Sequence, residues 1–223
     1  MRKRFLYLIP LAFLLLVGNF GIPSSKWARG LVFIYHRVVD ISGDEKEERW
    51  DWVGTGFFVA PNVIMTAAHL HPDGSYDSPP PLPDELRFLF ARPVGSSEFY
   101  RLMVLEKAKD ERDIMTLRIL GYKSTFWFKL GKAKIGEKVT ILAGRAVKDD
   151  EPVLVKMSAL ICAKDFPEEW GITKPTVRPL LVISPSIWFG ASGSPVLNKR
   201  GEVVGVVIGW NRTRQYLAEP TLP

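Results

Sequence analysis

The chain has 223 residues, of which 47% are apolar and 24% are charged, and it carries a net charge of +6. This composition is typical of a globular protein and excludes the disordered and collagen-like classes. Half of the net charge comes from Arg2, Lys3 and Arg4, and no long basic run follows, so we expect no nucleic-acid partner.

The first 25 residues differ in character from the rest. Three cations precede an apolar run of 13 residues from Phe5 to Val17. A helix of that length spans about 20 Å, which suits a signal peptide and falls short of the ~30 Å membrane core. No Ala-x-Ala cleavage site follows, so an anchor retained over Leu6 to Ile22 stays open. We predict a signal peptide or membrane anchor over 1–25, with membrane association through residues 5–22. The protein would then be exported (periplasmic or extracellular) or anchored at the membrane.

The rest of the chain consists of short apolar segments bounded by Gly, Pro, Asn and Asp, a pattern typical of β-strands. A first set of predicted strands covers 31–39, 54–61, 63–70, 85–94, 98–107 and 113–120. A Pro-rich loop at 71–84 lies within this set, and residues 121–136 form a linker. A second set covers 138–144, 152–163, 176–184, 194–198, 202–210 and 214–220. Many short strands of this kind predict barrels or a sandwich.

A single cysteine, Cys162, lies in the apolar stretch VLVKMSALICAKD. With one cysteine no intramolecular disulfide can form. Because free cysteines are among the most buried residue types, we expect Cys162 to pack in the interior.

Three short stretches hold the residue types that nucleophilic acyl transfer needs. TAAHL contains His69, ERDIMTL contains Asp113 and GASGSP contains Ser192. A serine hydroxyl is a weak nucleophile, a neutral imidazole can accept its proton, and a carboxylate can orient that imidazole. Each stretch alone also fits a structural role: a histidine on a strand, an aspartate at a turn, a plain glycine loop.

Together these stretches resemble the trypsin-like, chymotrypsin-fold serine peptidases, most closely the bacterial HtrA-like branch. The resemblance rests on four blocks: GTGFFVAPNVIMTAAH (54–69), RDIMTLRI (112–119), GASGSPVLNKRGEVVGVVIG (190–209) and YLAEP (216–220). It implies an all-β fold of two antiparallel six-stranded β-barrels, about 30–120 and 137–222, within a peptidase domain over 26–223. No C-terminal PDZ module is expected after YLAEPTLP.

The resemblance also implies roles for individual residues. Ser192 would be the nucleophile, His69 the general acid/base and Asp113 the orienting carboxylate. The backbone N–H groups of Gly190 and Ser192 would form the oxyanion hole, where a side chain on Gly190 would disturb the turn. Gly54 and Gly56 would permit close approach of strands near His69 or mark a bend of the barrel. We expect neither a cofactor nor a metal ion, since the sequence shows no cluster of metal ligands and no phosphate-binding loop.

Two departures from the family pattern carry consequences. The residue before the nucleophile is an aspartate in the digestive members, where it pairs with a new N-terminal amine, and here it is Ala191. We therefore expect no activation by that route. Ile208 stands where many relatives carry a serine or threonine that contacts the aspartate, so a backbone donor is expected to bond Asp113 instead.

A substrate polypeptide would bind in extended form along the strand GVVIGW. The resemblance places the pocket floor near Ser186 and no acidic residue close to it, which favours a small or medium apolar side chain before the cleaved bond. The walls would comprise Ile187, Phe189, Ile208, Gly209 and Trp210. The alternative is a protease-like fold that binds peptides with little or no turnover.

Overall fold

The computed structural model describes residues 25–41, 46–72, 85–107, 112–146, 151–165, 180–184, 190–210 and 216–221. The hydrophobic segment expected within residues 1–25 lies outside this range, as does most of the Pro-rich loop, residues 73–84. None of the described helices combines the length and the apolar character needed to cross a membrane.

Two closed antiparallel barrels of six strands each account for nearly all the described structure, which confirms the predicted fold class. In the first barrel the order around the wall is β1-β2-β3-β6-β5-β4. Its strands are β1 (Leu31–Asp40), β2 (Glu47–Ala60), β3 (Val63–Thr66), β4 (Glu85–Pro93), β5 (Tyr100–Lys107) and β6 (Met115–Ile119). A short helix, α1 (Ser25–Ala28), precedes β1.

The second barrel follows an irregular linker and has the order β10-β11-β12-β9-β8-β7. Its strands are β7 (Lys138–Ala146), β8 (Pro152–Asp165), β9 (Leu180–Ser184), β10 (Pro195–Leu197), β11 (Val203–Trp210) and β12 (Tyr216–Pro220).

Alternation of apolar side chains explains where the cores form, because successive side chains of a strand point to opposite faces. In β6, Met115, Leu117 and Ile119 point into the first barrel, while the residues between them are more exposed. Residues 31–36 of β1 are instead buried on both faces. One face lines the first barrel and the other joins a core between the barrels that contains Leu31, Phe57, Phe128, Leu142 and Val206.

Two features of the strands differ from the sequence prediction. β2 begins at Glu47 and not near Gly54, because its polar first residues pair with the outer half of β1 in an extended hairpin. Cys162 is exposed, so the prediction of a packed cysteine was wrong. Met157, Ala159 and Ile161 of β8 face the core of the second barrel. Because successive side chains of a strand point to opposite faces, Cys162 lies on the outer face.

Candidate active site

His69 does not lie on a strand, as the predicted segment 63–70 implied, but on a 3-10 turn over Ala68–Leu70 that follows β3. The register of β3 against β6 brings Asp113 to this turn. Thr66 pairs with Met115, so in an antiparallel pair the residues after Thr66 run beside those before Met115. The Ala68 N–H donates to the Asp113 carbonyl at 3.3 Å, which fixes this approach.

The Asp113 carboxylate holds His69 through both of its oxygens. Oδ2 lies 2.6 Å from His69 Nδ1, and Oδ1 accepts the His69 backbone N–H at 2.8 Å. A backbone donor was expected here because the side chain at position 208 is apolar. Because the carboxylate accepts at Nδ1, that nitrogen carries the proton and the Nε2 lone pair is available.

Ser192 lies in a tight turn that precedes β10. Gly190 and Gly193 both adopt left-handed φ angles, +88° and +80°. A side chain at Gly193 would overlap the Thr55 carbonyl and the Thr66 hydroxyl. The turn is closed by Ser194 N–H donating to Ala191 O at 3.0 Å and Gly193 N–H donating to Val207 O at 2.7 Å. A Cβ at Gly190 would overlap the Trp52 ring. Both glycines are therefore required by conformation and by space.

The first barrel holds the Ser192 turn close to the His69 turn. Thr55 N–H donates to Ser192 O at 2.9 Å. A Cβ added at Gly54 would lie 2.6 Å from Leu70 Cδ1 and 2.8 Å from Ser192 O. Gly54 thus lets the two turns approach, whereas a Cβ at Gly56 would meet Ile64 and Val32 inside the barrel.

Within the described part of the chain, no hydrogen bond joins the Ser192 hydroxyl to His69. Catalytic hydrogen bonds of this kind are often long in ligand-free proteins and shorten when substrate binds. The three residues are thus gathered at one junction of the barrels, with the aspartate–histidine contact already formed.

Ala191 is 2% exposed and packs into the core of the second barrel with Val139, Ile141 and Val204. Its methyl group occupies an apolar site, so no ion pair could form there without burying a charge. The neighbouring Ser194 is also fully buried, and its hydroxyl has no hydrogen-bond partner among the described residues.

The predicted substrate-binding residues are only partly placed. Ser186, Ile187 and Phe189 lie outside the described residues, and of Trp210 only the backbone position at the end of β11 is described. Ile208 is buried and packs with Ala67, Leu70 and Val182, so it supports the turn that carries His69. The adjoining Gly209 pairs with Leu217 of β12.

Two neighbours of the Ser192 turn were missed from the sequence. The Trp52 ring lies where a side chain on Gly190 would point, and its Nε1 donates to Gly54 O at 2.7 Å. Thr55 bonds to the turn through its backbone and its side chain. For Thr55 the only signal in the sequence is its place in the GTG triplet at the start of the first block, where the flanking glycines are the more conspicuous residues.

A buried histidine, His36, supports the turn from the opposite side. Its Nε2 donates to Leu70 O at 2.8 Å. Burial lowers the pKa of His36 below its ordinary value, Arg87 lowers it further, and Asp51 and the bond to Leu70 oppose these effects. His36 is therefore neutral in the folded protein at neutral pH.

The depressed pKa of His36 predicts an acid-sensitive contribution to stability. Between its folded pKa and the unfolded value of about 6.5, the unfolded chain binds more protons. The free energy of unfolding should then fall as pH drops below about 6.5, by at most ~1.4 kcal/mol per pH unit. Denaturant titrations of wild type and His36→Gln from pH 8 to pH 5 (about 0.5 unit steps) measure the difference in slope. Parallel pH profiles would contradict the assignment, because His36 is the only titratable group that differs between the two proteins.

The fold and the site together define a class, the serine peptidases built from two β-barrels. A family profile described as a trypsin-like peptidase domain matches residues 54–206. The chain belongs to this trypsin-like peptidase family and is a serine endopeptidase. A comparison with curated proteins found no matching relative.

Solved structures with the same fold include several bacterial proteases. The active form of the Rv3671c protease from M. tuberculosis has a TM-score of 0.60 and 19% identity, over 87% of this chain and 77% of that one. The HtrA-type protease AlgW with a decapeptide has a TM-score of 0.64 and 13% identity, over 88% of this chain and 62% of that one. The MamO protease domain from Magnetospirillum magneticum has a TM-score of 0.61 and 16% identity, over 88% and 94%. At these identities the likeness concerns the fold.

Proposed function

We propose that the chain hydrolyses peptide bonds through an acyl-enzyme on Ser192, with His69 as general acid/base and Asp113 as the orienting carboxylate. The observation that carries this proposal is the double contact of the Asp113 carboxylate with the His69 backbone N–H and Nδ1. It fixes both the ring position and the tautomer that a general base requires.

In the proposed reaction Ser192 Oγ attacks the carbonyl carbon of the substrate while its proton passes to His69 Nε2. The resulting imidazolium is stabilised by Asp113, which stays ionised. Collapse of the tetrahedral intermediate breaks the C–N bond, and Nε2 returns the proton to the departing amine. Water then attacks the acyl-enzyme by the same route, with His69 again accepting and returning a proton.

The negative charge on the carbonyl oxygen would be stabilised by the N–H groups of Gly190 and Ser192. Neither N–H is hydrogen bonded to any residue in the described part of the chain. The carbonyls of Gly190, Ala191 and Ser192 all accept hydrogen bonds, from Thr55 Oγ1, Ser194 N–H and Thr55 N–H. The turn thus has its acceptors bonded and its donors available, as an oxyanion site requires.

An extended polypeptide would bind along β11. One edge of β11 pairs with β12 as far as Trp210, whereas β10 pairs with β11 only through Val206. On the β10 side of β11, Gly193 and Ser194 bond to Val207. Residues 208–210 have no strand partner on this side among the described residues. An incoming strand could pair there beside Ser192. The peptide in the AlgW structure supports a polypeptide ligand.

A fluorophosphonate probe tests the proposal directly, because it reacts only with an activated serine. We expect wild type to be labelled and Ser192→Ala to be unlabelled, with the buried Ser194 present in both as an internal control. Loss of labelling in His69→Ala would support the base assignment. A folded wild type that resists labelling and cleaves no peptide would favour the alternative, a peptide-binding module without turnover.

For localisation we propose export or membrane anchoring through residues 5–22, supported by the three cations and the apolar run from Phe5. Cell fractionation followed by N-terminal sequencing tests this. A protein with an intact Met1 in the soluble cytoplasmic fraction would contradict both forms of the proposal.

A further inference from the structure

Four hydrogen bonds converge on Thr55, a residue of β2 that is fully buried. Its N–H donates to Ser192 O at 2.9 Å, and its carbonyl accepts the Thr66 hydroxyl at 2.7 Å. Its Oγ1 lies 3.1 Å from Gly190 O and 3.0 Å from Gly144 N. The residue therefore bonds to both ends of the Gly190–Ser192 segment from the opposite barrel.

The direction of the side-chain bonds is fixed by counting protons. A hydroxyl has one proton and two lone pairs. The Gly144 N–H can only donate, so it occupies a lone pair of Oγ1. The single hydroxyl proton is then committed to the Gly190 carbonyl, which can only accept. Gly144 orients the Thr55 hydroxyl, and the hydroxyl orients Gly190.

Gly190 needs such a restraint because of its conformation. Its φ of +88° lies in a region that glycine enters and leaves at little cost, so its backbone alone does not fix the turn. Since a peptide group is planar, a bond to the Gly190 carbonyl fixes the whole Gly190–Ala191 plane. The Thr55 N–H fixes the carbonyl of Ser192 in the same way. The Ser192 N–H belongs to the Ala191–Ser192 plane, which lies between these two held planes and whose carbonyl accepts the Ser194 N–H. Gly190, which carries the other N–H, adjoins the first of the held planes.

We propose that the Thr55 hydroxyl is a positioning residue that holds the Gly190–Ser192 turn in its oxyanion-binding shape. In this chain Ala191 provides no charge for an ion pair, and the hydroxyl supplies a polar restraint from the first barrel. Thr55 has no proposed contact with substrate and acts only through the turn. The proposal rests on the proposed function insofar as the turn binds an oxyanion; the restraint itself does not depend on turnover.

The test compares Thr55→Val, which has the same shape without the hydroxyl, with Thr55→Ser, which keeps it. Thr221→Val is the matched control. Thr221 is also buried, and its hydroxyl contacts the carbonyls of Gly131 and Val203. Three quantities are measured: kcat and KM on a peptide substrate, the rate of fluorophosphonate labelling, and amide hydrogen exchange of a peptide covering residues 190–194.

For Thr55→Val we expect kcat and the labelling rate to fall about 10-fold to 100-fold, with KM nearly unchanged. This decrease does not exceed the one caused by removing an oxyanion donor altogether. Exchange of residues 190–194 should become faster. Thr55→Ser should stay close to wild type in all three measurements. Thr221→Val should lose thermal stability while kcat and exchange in the turn stay unchanged.

Equal kcat and equal exchange in folded Thr55→Val and wild type would overturn the proposal, since Thr55 would then only join the barrels. If Thr55→Val does not fold, Thr55→Ala decides, because it also removes the hydroxyl, and wild-type kcat and exchange in folded Thr55→Ala would overturn the proposal. A kcat loss in Thr55→Ser of 10-fold or more would show that the methyl group matters and would also overturn it. If wild type neither labels nor cleaves, the proposed function fails, and the exchange measurement still decides whether the hydroxyl holds the turn.

Discussion

Replacing Asp113 by asparagine is expected to lower kcat about 10⁴-fold with little change in substrate affinity or in folding. The carboxylate has two acceptor oxygens in use, one for the His69 N–H and one for Nδ1. An asparagine offers one acceptor and one NH₂ group. If its oxygen keeps the backbone bond, its NH₂ faces Nδ1 and moves the ring proton to Nε2, where the base must be unprotonated. Steady-state kinetics and the fluorophosphonate labelling rate measure the loss.

A suitable control for Asp113→Asn is Glu48→Gln, a carboxylate-to-amide change in a surface ion pair with Arg37. Such pairs contribute little to stability, so this variant should match wild type in activity and nearly in stability. If Asp113→Asn were as active as Glu48→Gln, the orienting role of Asp113 would have to be abandoned.

Replacing Gly190 by alanine is expected to slow labelling and turnover about 10²-fold to 10³-fold, as for loss of an oxyanion donor. The added Cβ would overlap the Trp52 ring, and the φ of +88° is unfavourable for alanine. Either the ring or the turn must move. A moved turn no longer directs the Gly190 and Ser192 N–H groups to one point.

Gly95 provides the matched control because its φ is also +88° and nothing lies within 4 Å of an added Cβ. Gly95→Ala should therefore show the backbone cost alone, about 1–2 kcal/mol of stability, with unchanged kcat.

Combining Gly190→Ala with Trp52→Ala removes the overlap and should restore part of the lost rate. Equal activities of Gly190→Ala and Gly95→Ala would show that the turn tolerates a side chain.

Much of the fold could be predicted from the sequence because each strand has its own local pattern. Apolar runs separated by glycine and proline indicated twelve strands, and the structure has twelve among its described residues. The close approach of His69 and Asp113 was predicted only from the resemblance to the peptidase family. Its physical cause is the pairing of Thr66 with Met115. That register has no local signature in either strand.

The contacts that shape the Ser192 turn could not be predicted, because they join residues far apart in the chain. Thr55 and Gly190 are separated by 135 positions, and nothing in GTGFF distinguishes a threonine that bonds to a distant turn. Cys162 illustrates another limit. Its apolar neighbours suggested burial, whereas alternation along β8 places it on the outer face, opposite to Ile161.

The apolar setting of Ala191 also determines which solution conditions the turn can sense. An ion pair beneath the nucleophile would weaken in concentrated salt and disappear when its amine deprotonates. A methyl group among Val139, Ile141 and Val204 responds to neither condition. The turn is therefore coupled to the integrity of the second barrel and not to ionic strength or alkalinity. The Ser192 turn should therefore keep its shape in strong brine and in mild base for as long as the second barrel stays folded.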